Sequence, residues 1–139
     1  HLKNTTALLK MRNHPNAIEV GLINNVSEYL DKSCCLVSPF SKSHFSRPVV
    51  ESHLHKKPVI GTDVQGMQEI IEHKVNGLII PKNNHIALAE AINFFANNPQ
   101  KAHLFGNNGY MSADSKFNKD NFKLFNNLYF DILNVNNCL

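Results

Sequence analysis

The sequence predicts an α/β fold in which parallel strands alternate with helices. Residues 34–38 (CCLVS) form a continuous apolar run that ends at Pro39, a pattern typical of a strand buried on both faces. Further short apolar runs occur at residues 58–61 and 78–80, and helical patterns with short connections lie between the runs. This alternation predicts a parallel sheet with right-handed crossovers and helices packed on its faces.

A fourth strand is expected at residues 17–23 (AIEVGLI), so the sheet is predicted to hold about four strands. Asn84 stands where it can cap a helix that carries an amphipathic apolar stripe. We divide the chain into a strand–helix part at 16–97 and C-terminal helices at 99–133. The predicted helices lie at residues 2–12, 26–32, 47–56, 67–72, 85–97, from Pro99 onward, and at 119–133.

Length and composition are typical of one globular domain. The chain has 139 residues, of which 42% are hydrophobic and 18% charged, which argues against disorder. No apolar run approaches the roughly 18–20 residues that span a bilayer. The net charge of +3 is too small to indicate nucleic-acid binding. The polar start at His1 shows no signal-peptide pattern and no initiator Met, so we expect a fragment or a processed chain.

The cysteines give no metal or disulfide pattern. Cys34 and Cys35 are adjacent inside an apolar run, Cys138 is near the end, and no CxxC spacing occurs. An odd count in a strand-like setting predicts reduced core thiols and a cytoplasmic location.

A metal site is not expected around the predicted helix at 47–56. Glu51 and His55 are four residues apart and share a helix face, whereas His53 points elsewhere. Two ligands on one face are too few to bind a metal, and the sequence contains no HExxH motif, phosphate-binding Walker loop or GxSxG elbow. We therefore predict no metal and no cofactor.

The carboxyl ends of two predicted strands are candidate binding positions, because ligands of open parallel sheets bind there. Residues 38–51 and 58–69 each run from a strand through a loop to a helix start. A helix N-terminus offers unpaired N–H groups and the positive end of a dipole, and both suit a phosphate.

Pro48 and Glu51 define what the first of these positions can bind. Because Pro48 donates no N–H, the backbone N–H groups of Phe45, Ser46 and Arg47 must contact any phosphate. Glu51 lies one turn inside the helix, where a carboxylate can accept two hydrogen bonds from ribose hydroxyls. The alternative for Glu51 is a solvated carboxylate favoured by the helix dipole.

Three passages in order carry a family resemblance. They are NAIEVGLINNVSEYLDKSCCLVSPFS at 16–41, HFSRPVVESHLHKKPVIGTDVQGMQEII at 44–71 and NGLIIPKNNHIALAEAI at 76–92. Together they resemble the C-terminal, donor-binding domain of GT-B glycosyltransferases of the family-4 (group 1) type. The resemblance covers more than four-fifths of the chain.

This resemblance implies a Rossmann-like half of that domain from which the first two family strands are absent. Those strands carry the Arg and Lys that neutralise the donor diphosphate. The implied activity is transfer of a sugar, with retention, from a nucleoside-diphosphate sugar in polysaccharide biosynthesis. The resemblance also implies a longer enzyme whose acceptor domain precedes this chain, and we do not expect the fragment alone to be active. Peripheral membrane association of the parent protein stays an open alternative.

The family's donor loop carries two glutamates eight positions apart. The resemblance places the second, which binds the ribose, at Glu51, and the first, which contacts the sugar, at Ser43. Ser43 is neutral and short, so it cannot stabilise positive charge that develops on a sugar ring.

The remaining donor contacts are implied at two backbone stretches. The family's Gly-Phe-Gly reads His44-Phe45-Ser46 here, so the phenylalanine is kept and both glycines are lost. Phosphate contacts then fall on the backbone of Phe45, Ser46 and Arg47. The implied base contacts come from the backbone of three residues in the first predicted strand: Gly21, Leu22 and Ile23.

Two other functions are compatible with the sequence. The first is a non-catalytic binding or interaction module of the same fold, which the loss of the first glutamate and both loop glycines favours. The second is a nucleotide-sugar epimerase, for which His44 is a candidate acid/base group. Fold alone does not distinguish between these functions.

Overall fold

The computed structural model describes residues 14–117 as four helices around a three-stranded sheet. The predicted α/β class is confirmed. The elements in chain order are α1 (Val26–Lys32), β1 (Leu36–Ser38), α2 (Arg47–Leu54), β2 (Val59–Thr62), β3 (Gly77–Ile80), α3 (His85–Asn97) and α4 (Pro99–Phe117).

The sheet is parallel and its strands lie in the order β1-β2-β3, as the alternating pattern predicts. All four residues of the central strand β2 are buried, because it has a neighbour on each edge and helices on both faces. The strand VIGT suits this position, since it contains no charged residue.

Two apolar clusters cover the two faces of the sheet, and neighbouring residues of β2 point into opposite ones. Ile60 joins the cluster formed mainly with α3 and α4, where Phe95 packs edge-on against Phe105 with ring centroids 5.6 Å apart. Val59 joins the cluster beneath α2, where Val49 is fully buried. This alternation is the two-residue period of a strand, and it places α2 on the face opposite α3.

The prediction of a strand at residues 17–23 is wrong. The described sheet has three strands, whereas about four were expected. Leu22 is 100% exposed and Ile18 85% exposed. Strands need a neighbour for their N–H and C=O groups and a core for one face. Within residues 14–117 no strand pairs with this segment, and Gly21 has a φ of 64°, which interrupts an extended conformation.

The prediction of buried core thiols is wrong for Cys34. This residue is exposed, because β1 begins only at Leu36 and Cys34 lies before the sheet. Cys35 is half-buried, and burial raises the pKa of its thiol to about 11. Cys138 lies outside the described residues.

Helix boundaries follow the sequence closely except around α2 and the segment at 67–72. The helix α3 has the predicted bounds, and Asn84 caps it by accepting a hydrogen bond from the N–H of Ala87 at 3.0 Å. The helix α2 stops at Leu54, because Lys56 adopts a left-handed φ of 55°. The helix predicted at 67–72 is wrong, because residues 65–70 form turns and residues 71–72 have no regular structure. The predicted helices at 2–12 and 119–133 lie outside the described residues.

Two glycines of α4 bring that helix unusually close to α2. A Cβ on Gly106 would lie 2.0 Å from the carbonyl oxygen of Lys56, and one on Gly109 would lie 2.5 Å from the ring of His53. Only glycine fits at such separations, so this contact fixes the position of α2 against α4. Among residues 14–117, no helix has both the length and the apolar character needed to cross a bilayer.

The close contact buries the His53 side chain, which is 2% exposed. Its Nε2 atom has no hydrogen-bond partner among the described residues. The pKa of His53 is lowered to about 4, mainly by burial; a hydrogen bond with the Asn76 backbone opposes the shift and the nearby Lys116 cation adds to it. His53 is therefore neutral at pH 7.

We expect acid to destabilise the fold through His53. The ordinary histidine pKa is 6.5, so between pH 6.5 and about 4 the unfolded chain binds a proton that the folded chain does not. The free energy of unfolding is therefore highest above pH 6.5. It falls by about 3 kcal/mol as the pH drops from 6.5 to about 4. Urea unfolding at several pH values should show a smaller pH dependence for His53→Gln. Exposed His103→Gln is the matched control, and equal pH dependence in all three proteins would contradict the assignment.

Candidate functional site

The candidate site lies at the carboxyl edge of the sheet, where two loops meet. One loop runs from β1 to α2 over residues 39–46, and the other follows β2 over residues 63–66. Because β1 and β2 are parallel neighbours, their carboxyl ends lie at the same edge and bring these loops together.

A single carbonyl group joins the two loops. The backbone oxygen of Gln65 accepts hydrogen bonds from the Ser43 hydroxyl at 3.1 Å and from the N–H of His44 at 2.9 Å. A carbonyl oxygen has two lone pairs and can accept both bonds. Gly66 has a φ of 94°, and a Cβ there would lie 2.7 Å from the carbonyl oxygen of His44. We call Ser43, His44, Gln65 and Gly66 the clasp.

The start of the first loop is fixed by β2 as well. The Thr62 hydroxyl donates to the carbonyl oxygen of Phe40. The rings of Phe40 and His44 stack with their centroids 3.8 Å apart. The loop is therefore bound to the end of β2 and to the loop after it.

The N-terminus of α2 is left without a side-chain cap. Ser46 is the N-cap residue, yet its fully buried hydroxyl lies 3.2 Å from that of Ser38 and makes no capping bond. Val49 donates to the carbonyl of Ser46, and Pro48 has no N–H. In the described part of the chain, the N–H groups of Phe45, Ser46 and Arg47 have no acceptor. Phe45 and Arg47 are exposed, so their N–H groups can bind a ligand anion, whereas the Ser46 N–H is buried with its residue and its phosphate contact stays a prediction.

Glu51 and Arg47 lie on the same face of α2, four residues apart. Both side chains are exposed, and among residues 14–117 neither forms an ion pair. The carboxylate of Glu51 therefore stands about one turn beyond the open N–H groups. Its role as a ribose contact stays a prediction.

The three residues predicted to contact the base do not join this site in the described structure. Leu22 is exposed and Gly21 has a left-handed φ of 64°. No hydrogen bond connects residues 21–23 to the loop at 39–46 within residues 14–117. Their role in base binding also stays a prediction.

The last turn of α4 reaches the site, which the sequence does not indicate. Phe117 packs edge-on against Phe45 with ring centroids 6.2 Å apart, and Lys116 donates to the carbonyl oxygen of Glu69 at 3.3 Å. These contacts join residues far apart in the chain, so no local motif predicts them.

The described residues bring together no group of three or more His, Cys, Asp or Glu side chains that could hold a metal. His53 is buried against α4, and His55 pairs with Asp31 at 2.8 Å. Glu51 and His55 therefore do not form a shared set of ligands.

The parallel sheet, with helices on both faces and a loop that leads into a helix start at its carboxyl edge, defines a Rossmann-like domain. The chain belongs to the family of glycosyl transferases group 1, whose family model matches residues 3–112.

Two curated relatives are consistent with this membership. An uncharacterised glycosyltransferase of Methanocaldococcus jannaschii is 36% identical over 62% of this chain and 24% of its own length. The O-antigen chain mannosyltransferase C of Escherichia coli is 26% identical over 89% of this chain and 35% of its own length. The chain thus spans about a quarter to a third of the relatives that it matches.

Solved structures share the fold. Sucrose-phosphate synthase from Thermosynechococcus elongatus superposes with a TM-score of 0.84 and 26% identity, over 93% of this chain and 33% of that one. HepE of Anabaena, in complex with UDP-glucose, gives a TM-score of 0.73 and 24% identity over 80% of this chain and 30% of that one.

Proposed function

We propose that this chain is the donor-binding part of a glycosyltransferase that transfers a sugar, with retention, from a nucleoside-diphosphate sugar. The acceptor would be bound by an acceptor domain elsewhere in the parent protein. The observation that carries the proposal is the pair of unpaired N–H groups on the exposed residues Phe45 and Arg47, which flank the buried Ser46 at the start of α2 beside the clasp.

The proposed donor lies across the start of α2. The diphosphate accepts hydrogen bonds from the open N–H groups, and the helix dipole and the Arg47 guanidinium favour its negative charge. Glu51, one turn further along, accepts hydrogen bonds from the ribose hydroxyls. The base extends toward residues 21–23. HepE, which shares this fold, was solved with UDP-glucose, which supports a nucleotide sugar as the ligand.

The chemistry that this arrangement supports is stabilisation of the leaving group. When the bond between sugar and diphosphate breaks, negative charge grows on the diphosphate. N–H groups that are fixed beforehand stabilise this charge without reorganising, which is the main way in which such sites accelerate reactions. Arg47 and Lys42 are exposed cations near the loop and add to this effect. The proposal needs neither a metal nor a cofactor.

A specific contact favours a second candidate, a non-catalytic module of the same fold. Ser43 occupies the position at which the resemblance expects a glutamate on the sugar, and its hydroxyl is bonded to the carbonyl of Gln65 in the clasp. A residue used in this way joins the loops and contributes no charge to the sugar. The donor would still bind, but turnover would be low or absent.

The first test measures donor binding. UDP and GDP are titrated into the isotope-labelled protein and backbone amide shifts are followed by NMR. We expect shifts at Phe45, Ser46, Arg47 and Glu51, and we expect Glu51→Ala to weaken binding by about tenfold, the effect of losing one hydrogen-bonded charged group. Glu90→Ala, an exposed glutamate on α3, is the matched control. Loop amides that do not move with either nucleotide would overturn the donor-binding role.

The second test separates enzyme from module. In the complete protein, Ser43→Glu restores a carboxylate beside the proposed sugar position. If the site is catalytic, kcat should rise by up to about a hundredfold, since one well-placed electrostatic group contributes that much. Ser43→Ala removes the same hydroxyl without adding charge and serves as the control. Turnover that is undetectable in all three proteins, despite normal nucleotide binding, would support the non-catalytic module.

A further inference from the structure

A second cavity opens at the same edge of the sheet, beside the donor loop. It has a volume of about 330 Å³ and lies between the start of the β1–α2 loop and the start of α3. This volume is at the lower end of the range for small-molecule sites. We call it the edge groove, and its main lining residues are Phe40, Thr62, Pro81, Asn83, Asn84 and His85.

The edge groove carries almost no charge. Among residues 14–117, no Lys, Arg, Asp or Glu lines it, and His85 is the only titratable residue in that lining. A phosphate, a carboxylate or a metal ion would lose its hydration there without gaining an opposite charge. The lining therefore favours a neutral ligand.

The polar groups of the groove offer donors and acceptors side by side. Asn84 uses its Oδ1 atom to cap α3, which leaves its Nδ2 group as a donor. Among residues 14–117 the Asn83 side chain has no hydrogen-bond partner, and a left-handed φ of 60° fixes its backbone. An amide group can donate and accept at once, so it suits neighbouring hydroxyl groups, each of which does the same.

An aromatic ring forms one wall of the groove. Phe40 is 38% exposed, and its ring is stacked on His44. Because this stacking already restricts the ring, little side-chain entropy is lost when a ligand packs against it. A fixed aromatic surface beside amide groups matches a molecule with C–H groups on one face and hydroxyls at its rim.

We propose that the edge groove binds a neutral saccharide unit, namely one sugar of an acceptor whose remaining part the proposed acceptor domain would hold. A pyranose packs its C–H face on Phe40 and pairs its hydroxyls with Asn83, Asn84 and His85. The acceptor role rests on the proposed function, whereas saccharide binding itself does not. His44 connects the two sites, since it stacks on Phe40 and belongs to the clasp. The groove thus lies next to the proposed position of the donor sugar.

Titration of neutral methyl glycosides into the labelled protein tests this proposal. Methyl α-D-glucopyranoside and methyl α-D-mannopyranoside should shift the amides of Phe40, Asn83, Asn84 and His85, with affinities in the millimolar range. Glucose 6-phosphate should bind more weakly, because the groove has no cation to pair with it. Glycerol is the control for unspecific hydroxyl contacts.

Two variants localise the binding. Asn83→Gly removes the amide without backbone strain, since glycine readily adopts a positive φ, and it should weaken glycoside binding by about tenfold. Phe40→Leu keeps an apolar side chain but removes the ring, and the same loss is expected. Lys74→Gly is the matched control, because Lys74 also has a positive φ, of 66°, and does not line the edge groove.

The outcomes of the two proposals can be told apart. Glycoside shifts that glycerol reproduces, or unchanged binding in both variants, would overturn the saccharide site. UDP shifts at Phe45 and Arg47 report on the donor site in the same spectra. If glycosides bind and UDP does not, the edge groove stands as a saccharide site while the proposed donor function fails.

Discussion

The contact between the two loops at the carboxyl edge of the sheet is the constraint on which the site depends. The Gln65 carbonyl accepts from Ser43 and from the His44 N–H, and Gly66 lies against the His44 backbone at a distance that excludes a side chain. Parallel pairing of β1 with β2 makes this contact possible, because it places both loops at one edge. Without the contact, the N–H groups before α2 would have no fixed direction.

The helix that carries the site is fixed at both ends. At its start, Ser46 is buried and its hydroxyl lies beside that of Ser38. The Ser46 side chain therefore makes no capping bond to the helix N-terminus. At its end, Gly106 of α4 packs on the carbonyl of Lys56. The same close packing buries His53 in its neutral form, so the folded state becomes less stable as the pH falls. Rigid support of this kind lets a binding site exist before the ligand arrives.

Much of the fold could be predicted from the sequence, because local patterns determine it. The apolar run before Pro39 and the capped amphipathic helix at His85–Asn97 each carry their own signal. The strand expected at 17–23 failed for a non-local reason. A strand forms only when a neighbour supplies hydrogen bonds, and no described strand pairs with this segment.

The site was predictable in part. Pro48 and the strand–loop–helix order pointed to the N–H groups before α2, and the family resemblance pointed to Glu51 and Ser43. The Ser43 contact could not be read from the sequence, because its partner is a backbone carbonyl 22 residues away whose position depends on the sheet. The contact of Phe117 with Phe45 could not be predicted from the sequence either, because it depends on the direction in which α4 crosses the domain.

The affinity of the complete protein for UDP, measured by calorimetry in Gly66→Ala, tests the role of the clasp most directly. An added Cβ would lie 2.7 Å from the His44 carbonyl oxygen at a φ of 94°, so the loop must move. We predict that UDP affinity falls by about tenfold or more, because a displaced loop N–H loses its hydrogen bond to the charged diphosphate. Gln65→Ala keeps the backbone carbonyl and should bind UDP as the wild type does. Equal affinity in a folded Gly66→Ala protein would contradict the account.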